Sequence, residues 1–265
     1  MRIHFYKYQA TGNDFVLIDN LTGKNSLSRD QIVSICDRKF GIGADGVMLI
    51  EKHPSADFNL QYYNSDGSQS LCGNGSRAAV KMVATLGLVN VKASFEAYDG
   101  AHDAEILPDG VVRLRMNDVT TIQKLSREEF FINTGSPHFI RFVPDVRSYS
   151  VFDEGKGIRY DKKYAPAGTN ANFVQALPGN DIFVRTYERG VENETLSCGT
   201  GVTAAALAAS FLGYKSPVIV KTLGGDLLVE FKTRHSGTPA APSATFTDVY
   251  LVGPAKLVFE GDLEL

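Results

Sequence analysis

The sequence predicts an α+β protein built of two homologous, pseudo-symmetric halves, each a wrap of strands around one central helix. Three observations predict it: a long internal repeat, an excess of short β-rich segments over helices, and turns spaced for hairpins rather than for a doubly wound sheet. The chain has 265 residues, 43% hydrophobic and 22% charged. At ~150 residues per domain that is room for about two units, each with a core large enough to need no disulfide or metal staple.

The repeat is read in two places. Tyr62-Tyr63-Asn64-Ser65-Asp66-Gly67 leads to Cys72-Gly73-Asn74-Gly75 and an Ala-rich stretch reaching Leu86-Gly87. Arg185-Thr186-Tyr187-Glu188-Arg189-Gly190 leads to Cys198-Gly199-Thr200-Gly201 and a second Ala-rich stretch reaching Leu212-Gly213. Upstream, Thr11-Gly12-Asn13-Asp14-Phe15 is echoed by Thr134-Gly135-Ser136-Pro137-His138-Phe139. Cys198 follows Cys72 by 126 residues. The shared order places the halves at residues 1–118, joined by the C-terminal strand 253–265, and at residues 119–252.

The elements follow in order. Residues 4–8, 15–19, 47–51, 58–63, 111–116, 139–143, 182–187, 218–222, 227–231 and 249–252 have the β-branched and aromatic composition and short length of strands. Ser28, with Gln31 three residues on, predicts a capping box for a helix through Arg38. Gly87 and Gly213 stand where a left-handed residue ends each Ala-rich helix. Residues 235–243, rich in Pro, Ser, Thr and Gly, read as a flexible hairpin loop.

Composition excludes several function classes. Lys and Arg number 27 against 30 Asp and Glu, a balance with no basic footprint for nucleic acid or an anionic membrane. No apolar run approaches the ~20 residues of a membrane helix, and the first residues lack the apolar core of a secretory signal. Three scattered cysteines, Cys36, Cys72 and Cys198, fit neither a disulfide framework nor a zinc cluster. The expectation is a soluble, reduced, cytoplasmic protein. The glycine loops also match neither nucleotide-binding pattern, Gly-x-x-x-x-Gly-Lys-Ser/Thr or Gly-x-Gly-x-x-Gly.

The chemistry lies in the matched Cys-Gly-X-Gly segments. Each thiol falls near a helix N-terminus, where unpaired amides and the helix dipole present partial positive charge. That setting favours thiolate over the ordinary thiol pKa of ~8.5. The glycines let the backbone turn tightly, and the exposed amides can hold a carboxylate. Two such thiols facing each other across a cleft can take a proton from one face of a carbon and return one to the other, inverting a stereocentre without a redox cofactor. The plainer alternatives are two buried structural thiols or a resting disulfide.

On the segments Gly12-Asn13-Asp14-Phe15, Gly41-Ile42-Gly43-Ala44-Asp45, Asn64-Ser65-Asp66-Gly67, Cys72-Gly73-Asn74-Gly75-Ser76-Arg77, Glu188-Arg189-Gly190 and Cys198-Gly199-Thr200-Gly201, the chain resembles the diaminopimelate epimerase family over nearly its whole length. The resemblance implies that fold and a PLP-independent isomerase with no cofactor and no metal. It would interconvert LL- and meso-diaminopimelate in lysine and peptidoglycan precursor biosynthesis. Cys72 and Cys198 would be the acid/base pair, with His138 and Glu188 flanking the reacting centre. Gly73, Asn74, Gly199 and Thr200 would bind the reacting carboxylate. Asn13, Asn64, Asn170 and Arg189 would hold the distal amino-acid end. A homodimer with a small-molecule substrate, and with no nucleic acid or membrane partner, is also implied. Two positions depart from the family pattern: Ser136 stands where many members have Asn, and Gly46 where some have Gln. The alternatives are a proline- or hydroxyproline-type racemase or epimerase, and a non-catalytic amino-acid-binding protein.

Overall fold

A computed structural model describes residues 2–238 and 241–265. The chain divides into two compact units, Met1–Leu114 with Gly253–Leu265, and Arg115–Val252. No helix among the described residues is long and apolar enough to cross a membrane.

The first unit holds β1 (Arg2–Ala10), β2 (Asn13–Asp19), α1 (Arg29–Cys36), β3 (Gly46–Glu51), β4 (Phe58–Asn64), α2 (Gly73–Thr85), β5 (Lys92–Ala97), β6 (Gly100–Ile106) and β7 (Val112–Arg115). Thr11 and Gly12 both have positive φ, 49° and 84°. They form the two-residue turn whose twist suits a hairpin, closed by the Ala10–Asn13 pair. β2 and β3 are parallel with α1 between them in the chain, and β4 and β5 are parallel with α2 between them. A parallel pair needs such a crossover.

The second unit repeats this order with β8 (Ile122–Lys124), β9 (Glu129–Asn133), β10 (Pro137–Phe142), α3 (Val151–Arg159), β11 (Asn170–Ala176), β12 (Asp181–Glu188), β13 (Asn193–Thr195), α4 (Gly199–Ala209), β14 (Val218–Thr222), β15 (Gly225–Thr238) and β16 (Ala241–Gly253). β9–β10 is again an antiparallel hairpin, β10 and β11 are parallel across α3, and β12 and β14 are parallel across α4. The last strand, β17 (Lys256–Glu264), pairs antiparallel with β1 in the first unit.

The two Ala-rich helices are the centres of their units. In α2 every residue from Gly73 to Val80 is buried, and in α4 every residue from Gly201 to Ala209. α4 is apolar nearly all round, as a core helix is, whereas α2 buries Asn74, Ser76 and Arg77 along with its alanines. Around α1 the core is built from Phe5, Val16, Ile18, Ile32, Ile35, Val47 and Leu49. Around α3 it is built from Val146, Val151, Phe173, Phe183 and Tyr187.

The capping box at Ser28 is present: its side chain accepts from Gln31 N and its own N–H donates to Gln31. The helix stops at Cys36 rather than Arg38, because the Asp37 carboxylate accepts from the Lys39 and Phe40 amides and turns the chain. Gly87 and Gly213 are left-handed at φ 75° and 95°. The expected loop over residues 235–243 is mostly paired strand, with Ser236 opposite Ser243 and Thr238 opposite Ala241. Pro239 and Ala240, within that expected loop, lie outside the described residues.

Candidate active site

Each central helix is entered through a cysteine in extended conformation. Cys72 caps α2 at φ −129°, ψ 110°, and Cys198 precedes α4 at φ −115°, ψ 111°. The shared backbone sets each cysteine directly before first-turn amides that have no partner within the helix, and only Cys72 makes a side-chain cap hydrogen bond to one of them. Cys36, Cys72 and Cys198 are all thiols, with no disulfide between them.

At the α2 entrance, Cys72 Sγ accepts from Gly75 N at 3.4 Å and lies 3.5 Å from Asn13 Oδ1. Asn74, 1% exposed, donates from Nδ2 to the same oxygen at 3.4 Å. Asn13 is turned this way because its own Nδ2 donates to Asp45 Oδ2. Asp45 and Asp14 are in turn tied together by Arg38, which reaches Asp14 at 2.6 Å and Asp45 at 2.8 Å, while Lys7 reaches Asp14 at 2.7 Å. Burial alone would raise the Asp14 carboxyl, but Arg38 and Lys7 hold it down at about 2. Burial, then the Asp14 charge, push the Asp45 carboxyl up. Asn64, at the end of β4, donates to Ser68 O and to the Ser68 and Ser70 hydroxyls, fixing the segment that leads to Cys72.

Behind Cys72 stands Arg77, fully buried. Its guanidinium donates to Gly73 O at 3.4 Å, Asn74 Oδ1 at 3.0 Å and Thr11 Oγ1 at 3.3 Å.

At the α4 entrance a chain of neutral side chains leads away from the thiol. Cys198 Sγ lies 3.5 Å from Thr200 Oγ1, and His138 Nε2 lies 2.9 Å from that hydroxyl. Asn172 Nδ2 meets His138 Nδ1 at 3.1 Å and Phe139 O at 2.9 Å. A carbonyl only accepts, so this edge of the amide is its NH₂, Nδ1 is the acceptor, and the imidazole proton sits on Nε2. Thr186 donates to Asn172 Oδ1 at 2.9 Å and completes the chain. Burial, then the Arg189 charge, push His138 down to about 3, so the ring is neutral.

The rest of the expected set in this unit is hydrogen-bonded around β11 and the end of β12. Asn170 donates to Ser136 Oγ and Pro137 O, both at 2.9 Å, and accepts from Arg189 N at 2.8 Å. Arg189 Nη1 reaches Ala167 O, and Glu188 Oε2 accepts from Thr195 at 2.8 Å. Thr134, of the repeated Thr-Gly turn, donates to Thr200 O at 2.9 Å. At the departing position Gly46, an added Cβ would lie 2.5 Å from Tyr62 Cε2, so the tyrosine ring fills that space.

Within the first unit, then, Asn13, Cys72, Gly73 and Asn74 form one cluster, with Asn64 tied to the segment before it. Within the second, His138, Cys198, Gly199 and Thr200 form another, with Asn170, Glu188 and Arg189 at neighbouring strand ends. Sequence reasoning missed Asn172 and Thr186, and gave Arg77 no role. The signal for Asn172 was its spacing two residues from Asn170, which puts both on one face of a strand.

The sequence model of the diaminopimelate epimerase family matches residues 5–122 and 130–244. The diaminopimelate epimerase of Flavobacterium psychrophilum is 43% identical over 259 residues, covering 96% of this chain and 98% of its own. That of Aquifex aeolicus is 39% identical, covering 98% of each. Among solved structures, a PhzF-family phenazine biosynthesis protein of Bacillus anthracis shares the fold with a TM-score of 0.73 at 14% identity, covering all of both chains. A probable proline racemase of Agrobacterium radiobacter does so with a TM-score of 0.70 at 14% identity, covering 99% of this chain and 93% of its own. With the family model matching both halves and relatives aligned end to end, the chain belongs to the diaminopimelate epimerase family.

Proposed function

We propose that the protein is a diaminopimelate epimerase that interconverts LL- and meso-2,6-diaminopimelate by a two-thiol, PLP-independent mechanism. The observation that carries this reading is the repeated helix entrance, with a cysteine in extended conformation at the N-cap of a buried helix at Cys72 and again at Cys198. One thiolate takes the α-hydrogen as a proton, and the electron pair left on carbon spreads into the α-carboxylate. The amides of Gly73, Asn74, Gly199 and Thr200 hold that carboxylate, so the added charge meets donors already in place. The other thiol gives its proton to the opposite face. One S–H bond forms as another breaks, and no redox partner is consumed.

Asn13, Asn64, Asn170 and Arg189 hold the distal amino-acid end, since amides can accept from an ammonium and donate to a carboxylate. Glu188 and His138 flank the reacting carbon. The protein works as a cytoplasmic homodimer without nucleic acid or membrane partners, a reading supported by its near-neutral charge and its family.

The test is NMR of the reduced protein with LL-diaminopimelate in deuterated water, with a chelator and no added PLP. Deuterium at one α-carbon together with meso product is the expected result. Folded protein with reduced thiols and no exchange overturns the assignment. Exchange on proline or hydroxyproline instead would select the racemase reading, and binding without turnover the amino-acid-binding one.

A further inference from the structure

The α2 entrance contains a charge that the proposed chemistry has not used. Arg77 is wholly buried, its Nε has no hydrogen-bond partner, and no carboxylate among the described residues lies within ion-pair distance of it. Its three acceptors, Gly73 O, Asn74 Oδ1 and Thr11 Oγ1, are all neutral. A buried guanidinium normally recruits a carboxylate. The carboxylates joined to this entrance through Asn13, Asp45 and with it Asp14, are both engaged by Arg38, and Asp14 also by Lys7. That group of two acids and two cations is balanced, and Arg77 is the cation left over.

The anion that fits is the Cys72 thiolate. Gly73 and Asn74, which accept from Arg77, are the two residues that follow Cys72, and Asn74 is joined through Asn13 Oδ1 to Cys72 Sγ. When the thiol loses its proton, Asn13 Oδ1 keeps the Asn74 amide as its donor, and Sγ keeps the Gly75 N–H. Three other ionisable groups on strands packed against α2 have partners elsewhere. Tyr8 donates to Thr85 at the far end of the helix, His102 pairs with Asp99, and Glu51 accepts from Asn20 and Asn59. At the matching position of α4 stands Thr203, a neutral side chain that donates to Gly199 O at 2.9 Å.

We propose that Arg77 is a positioning residue whose uncompensated buried charge holds Cys72 as the resting thiolate, a role for which the α4 entrance has no counterpart on its helix. Arg77 touches no reacting atom; it acts through the thiol. The segment leading to the α4 entrance carries Glu188 and Arg189, which are opposite in sign and partly exposed at the end of β12. The proposal rests on the two-thiol reading for its catalytic meaning, but its test does not need turnover.

The experiment measures the rate of iodoacetamide labelling of Cys72 against pH, by peptide mapping, in the Cys198→Ala chain. Adding Arg77→Met should raise the Cys72 midpoint by about one to two pH units, the usual effect of losing a close opposite charge. Arg77→Lys should restore most of the shift. In the otherwise intact enzyme, Arg77→Met should move the acidic limb of kcat/KM upward by the same amount. A folded Arg77→Met chain with an unmoved Cys72 midpoint overturns the proposal. If that chain does not fold, the two thiols are compared directly, with Cys198 titrated in Cys72→Ala. Both cysteines stand at a helix N-terminus and Cys72 has the Gly75 N–H besides, so a Cys72 midpoint no lower than that of Cys198 overturns it as well. A shifted midpoint in a chain that exchanges no deuterium into diaminopimelate keeps the role of Arg77 and discards the epimerase reading.

Discussion

The entrances to α2 and α4 have nearly the same backbone and different electrostatics. Cys72 and Cys198 differ by 14° in φ and 1° in ψ. Around the first stand a buried cation and a balanced group of ions; around the second, a chain of neutral donors runs from Thr186 through Asn172, His138 and Thr200. Repetition of the fold therefore sets where a thiol stands, and the side chains behind it set how firmly it holds its proton. A catalyst that must take a proton at one sulfur and give one at the other has use for that inequality.

The largest effect is expected at the thiols themselves. Cys72→Ala and Cys198→Ala should each fold and each lose about 10²–10⁴-fold in epimerisation, the scale of a general acid or base. Near-normal turnover in either variant, measured by formation of the meso isomer, would remove the equivalence of the two entrances. Next comes the neutral chain. Asn172→Asp replaces the donor to His138 Nδ1 with an acceptor, which draws the imidazole proton from Nε2 to Nδ1 and leaves Thr200 without its donor. We expect kcat to fall about 10-fold, less than the ~10²–10⁴-fold of losing an acid or base outright, and the His138 ring to show the other tautomer by ¹⁵N NMR. An unchanged tautomer would break the inferred chain.

The same histidine predicts a pH dependence. Its pKa is 6.5 when free and about 3 in the folded protein. The unfolded chain therefore binds the extra proton first. The stability of the neutral form is fully present above about pH 6.5 and is lost progressively as the pH falls toward 3, because protonation favours unfolding over that window. His138→Gln should flatten the fall in melting temperature between pH 7 and 4. A wild-type curve parallel to that of the variant would mean that the ring is not held neutral.

Most of the fold is legible in the sequence where local chemistry agrees with the final packing. The capping box at Ser28, the glycines ending both Ala-rich helices and the repeated thiol segments all signal locally what the structure contains. What escapes is set by tertiary contacts. β11 begins Asn170-Ala171-Asn172, too polar to read as a buried strand, yet all three are buried because their amides bond to other chain segments. α3 carries Gly155 and Gly157, which weaken any helix reading. Gly155 is there because Tyr187 packs where its Cβ would be, with the ring Cγ only 2.8 Å away. Arg77 shows the same limit in the site: nothing local distinguishes a buried arginine on a helix from a solvated one.

The second glycine of each thiol segment sharpens the comparison at a smaller scale. A Cβ on Gly75 would meet the terminal methyl of Met48, the free end of a flexible chain. A Cβ on Gly201 would meet Asn172 Oδ1, with His138 Cε1 at 3.3 Å, and Asn172 is held by three hydrogen bonds. Gly201→Ala should therefore cost about 1–3 kcal/mol, as overpacking does, and depress kcat along with it. Gly75→Ala should stay below about 1 kcal/mol by letting Met48 turn aside. Equal losses in melting temperature would show that both entrances are equally rigid.

The smallest effect is expected at the third thiol, and it separates position from mere presence. Cys36 is the last residue of α1, where the helix end presents partial negative charge, the reverse of the setting of Cys72 and Cys198. Burial pushes its thiol up to about 11, and the Asp45 and Asp14 charges add to this against Lys7 and Arg38. At pH 8 iodoacetamide should label Cys72 and Cys198 and leave Cys36 untouched until the chain is unfolded. Cys36→Ala should leave turnover unchanged and cost about 1 kcal/mol through the lost burial of one sulfur. Labelling of Cys36 in the folded chain at a rate like that of the other two would mean that the helix ends do not discriminate among the thiols, and the argument from the α2 and α4 entrances would lose its physical basis.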